Sequence, residues 1–319
     1  MSTLVFIPGA WHKPTCYDKV IALLQEQEDL RCVAITLPST TDNPNATFKD
    51  DLDVAQDAIR KETSQGRNVI VVAHSYGGMV GNSAIKGFTM TDETKGGIKH
   101  ENGDNTTSDG QVAGHVIGLI LIASGFTFTG LAFMDPFFGH PPPSWRVNSE
   151  TGYAELVTPP RELFYHDLPE EEGDFWASQL STQSLKALFE DGEHTYAGWQ
   201  DVPVWYIGTC LDRGLPVLAQ RIQMGMGRQM GARAEHRELQ TSHSPFLSQP
   251  RETADIILEA VEAFTGKEPR KSRQDDKIVR PAALLWQPWT WLKFGLPLGL
   301  GHVIGGVISF LRWWKIIKI

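Results

Sequence analysis

Short β-branched and apolar runs recur at residues 4–7, 33–36, 69–73, 116–123, 202–207 and 236–239. Most are apolar on both faces, the pattern of strands buried in a parallel sheet with helices over each side. Helical periodicity fills the gaps between them. Residues 48–62 put Leu52, Ala55 and Ile59 on one face, and residues 252–264 turn Ile256, Ile257, Val261 and Phe264 inward. Strand–helix alternation of this kind predicts an α/β fold with a mostly parallel, doubly wound sheet. It places ligand sites at the carboxyl ends of the strands.

Two stretches break the alternation. Residues 91–111 are polar and rich in Gly, Asn, Asp and Thr, as a surface loop would be. Residues 126–200 carry no strand signal and hold three consecutive prolines, Pro141 to Pro143, with many aromatics, among them Phe133, Phe137, Trp145 and Trp176. Aromatic surface between two sheet strands reads as an inserted helical cap over the strand ends, with many of these rings forming the cap's own core. Residues 1–266 are then one domain containing the cap and the loop.

Beyond Gly266 the pattern changes. Residues 267–280 form a charged, linker-like stretch with six bases and three acids. Residues 281–319 are a hydrophobic tail that holds five of the chain's ten Trp and no acid, with an uncharged run at 294–311 flanked by Trp and Lys/Arg. That run fits a membrane anchor, spanning or interfacial, with aromatic belts. Pro297, His302 and several glycines weaken a spanning helix, so packing on the globular body is the alternative. The bases before the run would keep the body on the cytoplasmic side.

The chain has 319 residues, 41% apolar and 21% charged, enough to build a sizeable core and to exclude global disorder. A formal charge of −9 argues against a nucleic-acid partner. That mean is uneven: residues 267–319 carry a net +7, which leaves −16 on the rest. Cys16, Cys32 and Cys210 are few and unclustered, implying neither a disulfide framework nor a metal site. The first residues enter an apolar strand directly, without a basic or long hydrophobic leader, so synthesis inside the cell is expected. Nothing in the pattern sets an oligomeric state.

The chemistry sits at the strand ends. After the third strand comes Ala73-His74-Ser75-Tyr76-Gly77-Gly78 and a helix-like segment, the strand–turn–helix setting of a nucleophile elbow with Ala in place of its first Gly. Small residues are needed two before and two after the serine, because a larger side chain would collide with a neighbouring element. A serine hydroxyl is nearly inert at neutral pH, so it needs a base and an orienting acid. Asp212 and His243 each follow a later strand, in the chain order the elbow expects. Asp201 is a weaker rival acid because it precedes its strand. The developing oxyanion needs backbone N–H donors. Tyr76, directly after the serine, offers one, and Ala10, in the Pro8-Gly9-Ala10-Trp11-His12 loop, offers the second. His74 adjoins the serine but should point away from it. Trp11, His12, Phe133, Phe137 and Trp176 are candidates for the substrate pocket, and no metal or organic cofactor is implied.

The Gly9-to-His12 loop, the elbow, the strand through Tyr206 and Ile207 to Asp212 and Pro216, and His243-Ser244-Pro245-Phe246 together resemble the α/β-hydrolase superfamily. The branch they resemble holds plant methylesterases, hydroxynitrile lyases and their fungal and bacterial relatives. The cap residues from Tyr165 through Glu172, with Trp176 and Ala177, are similar to fungal members. The resemblance covers residues 3–265. It implies Ser75 as nucleophile, His243 as base, Asp212 as acid, Ala10 and Tyr76 as oxyanion donors, and a small-molecule ester as substrate. Pro8 departs from the family by replacing the histidine common before that glycine. The lyases usually have Thr where Gly9 stands and Lys where Ser244 follows the catalytic histidine. Lacking the cation that stabilises departing cyanide, this chain is expected to hydrolyse esters. A lyase or cofactor-free C–C or dehydration enzyme, and a non-catalytic ligand-binding homologue, are the alternatives.

Overall fold

The computed structural model of the protein describes residues 2–26, 30–90, 113–267, 277–314 and 316–317. Its centre is a seven-stranded sheet in the order β2-β1-β3-β4-β7-β8-β9. The strands are β1 (Ser2–Ile7), β2 (Leu30–Ala34), β3 (Asn68–His74), β4 (Val116–Ile122), β7 (Val204–Thr209), β8 (Ala234–Leu239) and the short edge strand β9 (Ile278–Val279). All neighbours are parallel except β9, which pairs antiparallel with β8. β1, β3 and β7 are buried along almost their whole length on both faces, which is why their sequences do not alternate.

Helices cover the two faces: α1 (Asp18–Gln25), α2 (Phe48–Thr63) and α3 (Gly77–Ala84) in the first half of the chain. α2 starts at a capping box in which Thr47 and Asp50 exchange hydrogen bonds, and it buries the expected Leu52, Ala55 and Ile59. The polar segment 91–111 lies outside the described residues. Between β4 and β7 the chain forms an insertion with α4 (Pro160–Phe164), α5 (Glu170–Ser178) and α6 (Lys186–Phe189). The sequence reading found no strand here, and the structure corrects it. β5 (Trp145–Asn148) and β6 (Tyr153–Leu156) form a hairpin held by the cross-strand Arg146–Glu155 ion pair at 2.9 Å. Their sequences, Trp-Arg-Val-Asn and Tyr-Ala-Glu-Leu, mix polar and apolar residues and lack the two-sided apolar run that marks most of the central strands.

The second half adds α7 (Val217–Gln229), α8 (Pro245–Ser248) and α9 (Pro250–Thr265). Phe264 of α9 lies on Gly118 of β4, where a Cβ would come within 2.3 Å of its ring. The stretch read as a linker also needs correction, because its end is β9. Lys277 pairs with Glu252 at 2.5 Å and Arg280 with Glu259 at 3.7 Å, fastening the edge strand to α9. The tail then forms α10 (Pro288–Thr290), a π-type turn (Trp291–Gly295) and α11 (Leu296–Trp313). Proline and glycine do not break this helix. Pro297 sits in the first turn, where its missing N–H costs nothing, and Gly301 and Gly305 are buried against α7.

Candidate active site

β3 runs into the turn at Ser75 and out into α3. Ser75 has φ +50°, a left-handed conformation that side-chain-bearing residues rarely adopt, so the turn is strained. Close packing holds it. A Cβ on Gly77 would lie 2.3 Å from the Pro8 carbonyl oxygen, and one on Gly78 would lie 1.9 Å from Ser124 Oγ. Ser124 Oγ donates to the Ser75 carbonyl at 2.7 Å. The departure at Ala73 also has its compensation. Gly81 of α3 faces it, and a Cβ there would stand 2.9 Å from that of Ala73. The glycine opposite makes room for the extra methyl.

Asp212 lies just past β7 and His243 just past β8, so both leave the sheet at the same carboxyl end of the strands as Ser75. His243 Nδ1 donates to Asp212 Oδ2 at 2.7 Å, with both residues buried. The same oxygen accepts from Thr209 Oγ1 (2.7 Å) and Gln220 Nε2 (3.2 Å), and Oδ1 accepts from the N–H groups of Gly214 and Leu215, each at 2.7 Å. Thr209 and Gln220 were not singled out from sequence. Their signals are present, one at the last position of the strand and one inside the helix that follows. Asp201, the rival acid, instead accepts from Tyr196 Oη at 3.0 Å.

His74 joins the His243 loop to the elbow. Its Nε2 donates to the His243 carbonyl at 3.0 Å, and the two rings lie 4.6 Å apart. It points to the loop that carries His243, a positioning role that sequence reasoning missed. Ser75 Oγ has no hydrogen-bond partner among the described residues, so the Asp212–His243 link is closed and the link to Ser75 is open. Catalytic hydrogen bonds are often long before a substrate arrives.

Gly9 brings the first loop against the elbow, where a Cβ would lie 2.8 Å from His74 Nδ1 and 3.1 Å from Ser75 Cβ. Ala10 and Tyr76 are buried, yet among the described residues no acceptor takes the backbone N–H of either. Tyr76 opens α3, where the first amides of a helix have no intrahelical acceptor. Both donors are fixed from outside. His12 Nδ1 donates to the Ala10 carbonyl at 2.7 Å while its Nε2 accepts from Tyr165 Oη at 2.9 Å. Tyr76 Oη donates to Asp51 Oδ2 at 2.8 Å, and Asp51 also accepts from Ser39 Oγ at 2.6 Å.

The pocket candidates separate. His12 and Trp176 line one small crevice with Lys13, Cys16 and Tyr165. Phe133 meets Tyr76 edge-on at 5.5 Å. Trp11 fastens the cap instead, donating from Nε1 to the Ala154 carbonyl at 2.9 Å and packing on Trp145. Phe137 is 48% exposed in a short turn, so the expectation that it lines a pocket is corrected. Its apolar ring gave no local sign of which way it faces.

Burial pushes His12 and His236 down to about 4, and His74 well below the usual histidine range. Burial also pushes Asp51 up to about 6. The unfolded chain therefore takes up three imidazole protons below the ordinary histidine pKa that the folded chain refuses, while Asp51 takes one proton in the folded state. Stability should fall as pH drops from 6.5 toward 4, with a net uptake of two protons across these four groups and a slope of at most about 3 kcal/mol per pH unit. Urea unfolding midpoints measured across that window check this, and a flat profile would contradict neutral imidazoles at these positions.

Residues 4–256 match the alpha/beta hydrolase family. Alpha/beta hydrolase nvfD of Aspergillus novofumigatus is 23% identical over 267 residues, covering 83% of this chain and 96% of that protein. Polyneuridine aldehyde esterase superposes with a TM-score of 0.60 at 19% identity, over 82% of this chain and 99% of its own. A pyrethroid hydrolase from Sphingobium faniae JZ-2 does so at 0.58 and 19%, over 82% and 98%. At these identities the likeness to the solved structures is one of fold.

Proposed function

The chain belongs to the alpha/beta hydrolase family, and from that membership we propose that it hydrolyses a small or medium-sized carboxylic ester through an acyl-enzyme on Ser75. The observation that carries the reading is the buried 2.7 Å Asp212–His243 bond past the ends of β7 and β8, together with a left-handed Ser75 past the end of β3. Because Nδ1 donates to Asp212, Nε2 of His243 is the free base. It takes the Ser75 proton as Oγ attacks the ester carbonyl, and Asp212 holds the tautomer and stabilises the imidazolium. The N–H groups of Ala10 and Tyr76 receive the oxyanion, each worth about 2.7–4 kcal/mol where such a donor has been removed. His243 then returns the proton to the leaving alcohol and activates the water that releases the acid.

The aromatic cap favours an apolar acyl or alcohol group. The similar solved structures of an esterase and a pyrethroid hydrolase are consistent with ester chemistry. Ser244, directly after His243, supplies no cation for a departing cyanide, which weighs against a lyase. The test is to treat the protein with a fluorophosphonate and digest it. The adduct should map to Ser75, and pretreatment should abolish turnover of a panel of p-nitrophenyl, methyl and acetyl esters. Absence of any adduct, with an active panel, would remove Ser75 as nucleophile.

A further inference from the structure

The π-type turn and α11 run together as one rod with two opposite faces. Phe294, Pro297, Gly301 and Gly305 are buried against the body, whereas Leu292, Leu296, Leu300, Val303, Val307 and Phe310 are exposed and recur at three- and four-residue spacing. The inner face is a tight seam on α7. A Cβ on Gly301 would lie 2.0 Å from the Ile222 carbonyl oxygen, and one on Gly305 would lie 2.8 Å from that of Met226. On α7, a Cβ on Gly225 would lie 2.2 Å from the Leu298 carbonyl oxygen. His302 Nδ1 donates to the Gly225 carbonyl at 2.6 Å, and Arg221 Nη1 donates to the Lys293 carbonyl at 2.7 Å.

We propose that the outer face of α11, with the tryptophans at its two ends, is a membrane-binding surface that seats the protein on an anionic bilayer without crossing it. Only 22% of the most apolar 18-residue window is buried, so the helix is not a core element. From Lys293 to Gly305 its other side lies against protein, about 18 Å of helix axis at 1.5 Å per residue. A span needs about 20 residues surrounded by lipid, and the seam denies that while it holds. Trp286, Trp289, Trp313 and Trp314 are exposed at the ends of the stripe, where a surface-lying helix meets the headgroups. Charge selects the occupant. Residues 281–319 contain Lys293, Arg312, Lys315 and Lys318 and no acid. A second copy would oppose these bases to one another, whereas anionic lipid neutralises them.

The experiment uses the full chain with a C-terminal epitope, mixed with preformed phosphatidylcholine vesicles containing about one-third phosphatidylserine and separated by flotation. The protein should float, less so on pure phosphatidylcholine, and external protease should remove the epitope. Leu300→Asp/Val303→Asp/Val307→Asp should lower binding by more than about tenfold at an unchanged unfolding midpoint. If that variant fails to fold, Trp313→Ala/Trp314→Ala, beyond the seam, should lower binding instead. Any of four results would overturn the proposal: no flotation, an epitope protected inside the vesicle, equal binding to neutral lipid, or a soluble dimer that the aspartates dissolve.

Discussion

Ser75→Ala is expected to lower ester turnover by about 10⁴-fold or more, with a much smaller change in KM. The variant keeps the N–H groups of Ala10 and Tyr76 and the Asp212–His243 pair, so some acceleration over water should survive. His243→Ala should cost nearly as much as Ser75→Ala, and the double variant little more, because nucleophile and base act as one unit. Folding should be little affected. Alanine at φ +50° meets the same backbone strain as serine, and the packing of Gly77 on the first loop does not involve the hydroxyl. Steady-state kinetics on one ester, with thermal unfolding as the control, decide the matter. Near-normal turnover in a folded Ser75→Ala protein would end the nucleophile assignment.

The second large effect concerns stability. Arg221 of α7 and Glu238 of β8 form a two-pronged ion pair, both contacts at 2.8 Å, with side chains 6% and 0% exposed. The guanidinium holds the Glu238 carboxyl below its usual range, against the burial that would raise it. Arg221→Met should cost about 3–5 kcal/mol, since it leaves a buried carboxylate facing Cys210 and a neutral His236. Arg221→Met/Glu238→Leu should recover most of that loss, because an apolar pair pays no desolvation. Arg221 also donates to the Lys293 carbonyl and lies 4.6 Å over the Phe294 ring. The double variant should therefore refold the body while leaving the start of α11 loosened. Urea unfolding measures the first effect, and protease sensitivity near Lys293 measures the second. A single variant as stable as the parent would show that Glu238 is paired otherwise.

The features legible in the sequence are those written in consecutive residues. Short runs, most of them apolar on both faces, marked six of the seven sheet strands, although β2 begins three residues earlier than its β-branched core suggested. The spacing of Leu52, Ala55 and Ile59 marked α2 almost to its ends. Strand–turn–helix order located the elbow, and the rule that sites gather at strand ends brought Asp212 and His243 forward as partners. The hairpin β5–β6 escaped because its strands mix polar and apolar residues, and the edge strand β9 because two residues show no period. The glycines of the tail misled in the other direction. In isolation they weaken a helix, whereas here they let two backbones approach.

Tertiary structure alone decided which distant groups meet. Nothing local in His74 indicates that its ring bonds the carbonyl of His243, or in Tyr76 that its hydroxyl ends on Asp51. Trp11 and Phe137 are equally apolar in sequence, yet one fastens the cap and the other faces solvent. Periodicity reports how a segment divides its own surface between inside and outside. Which partner covers the inside, and which polar atoms are left without one, depends on contacts between segments far apart in the chain.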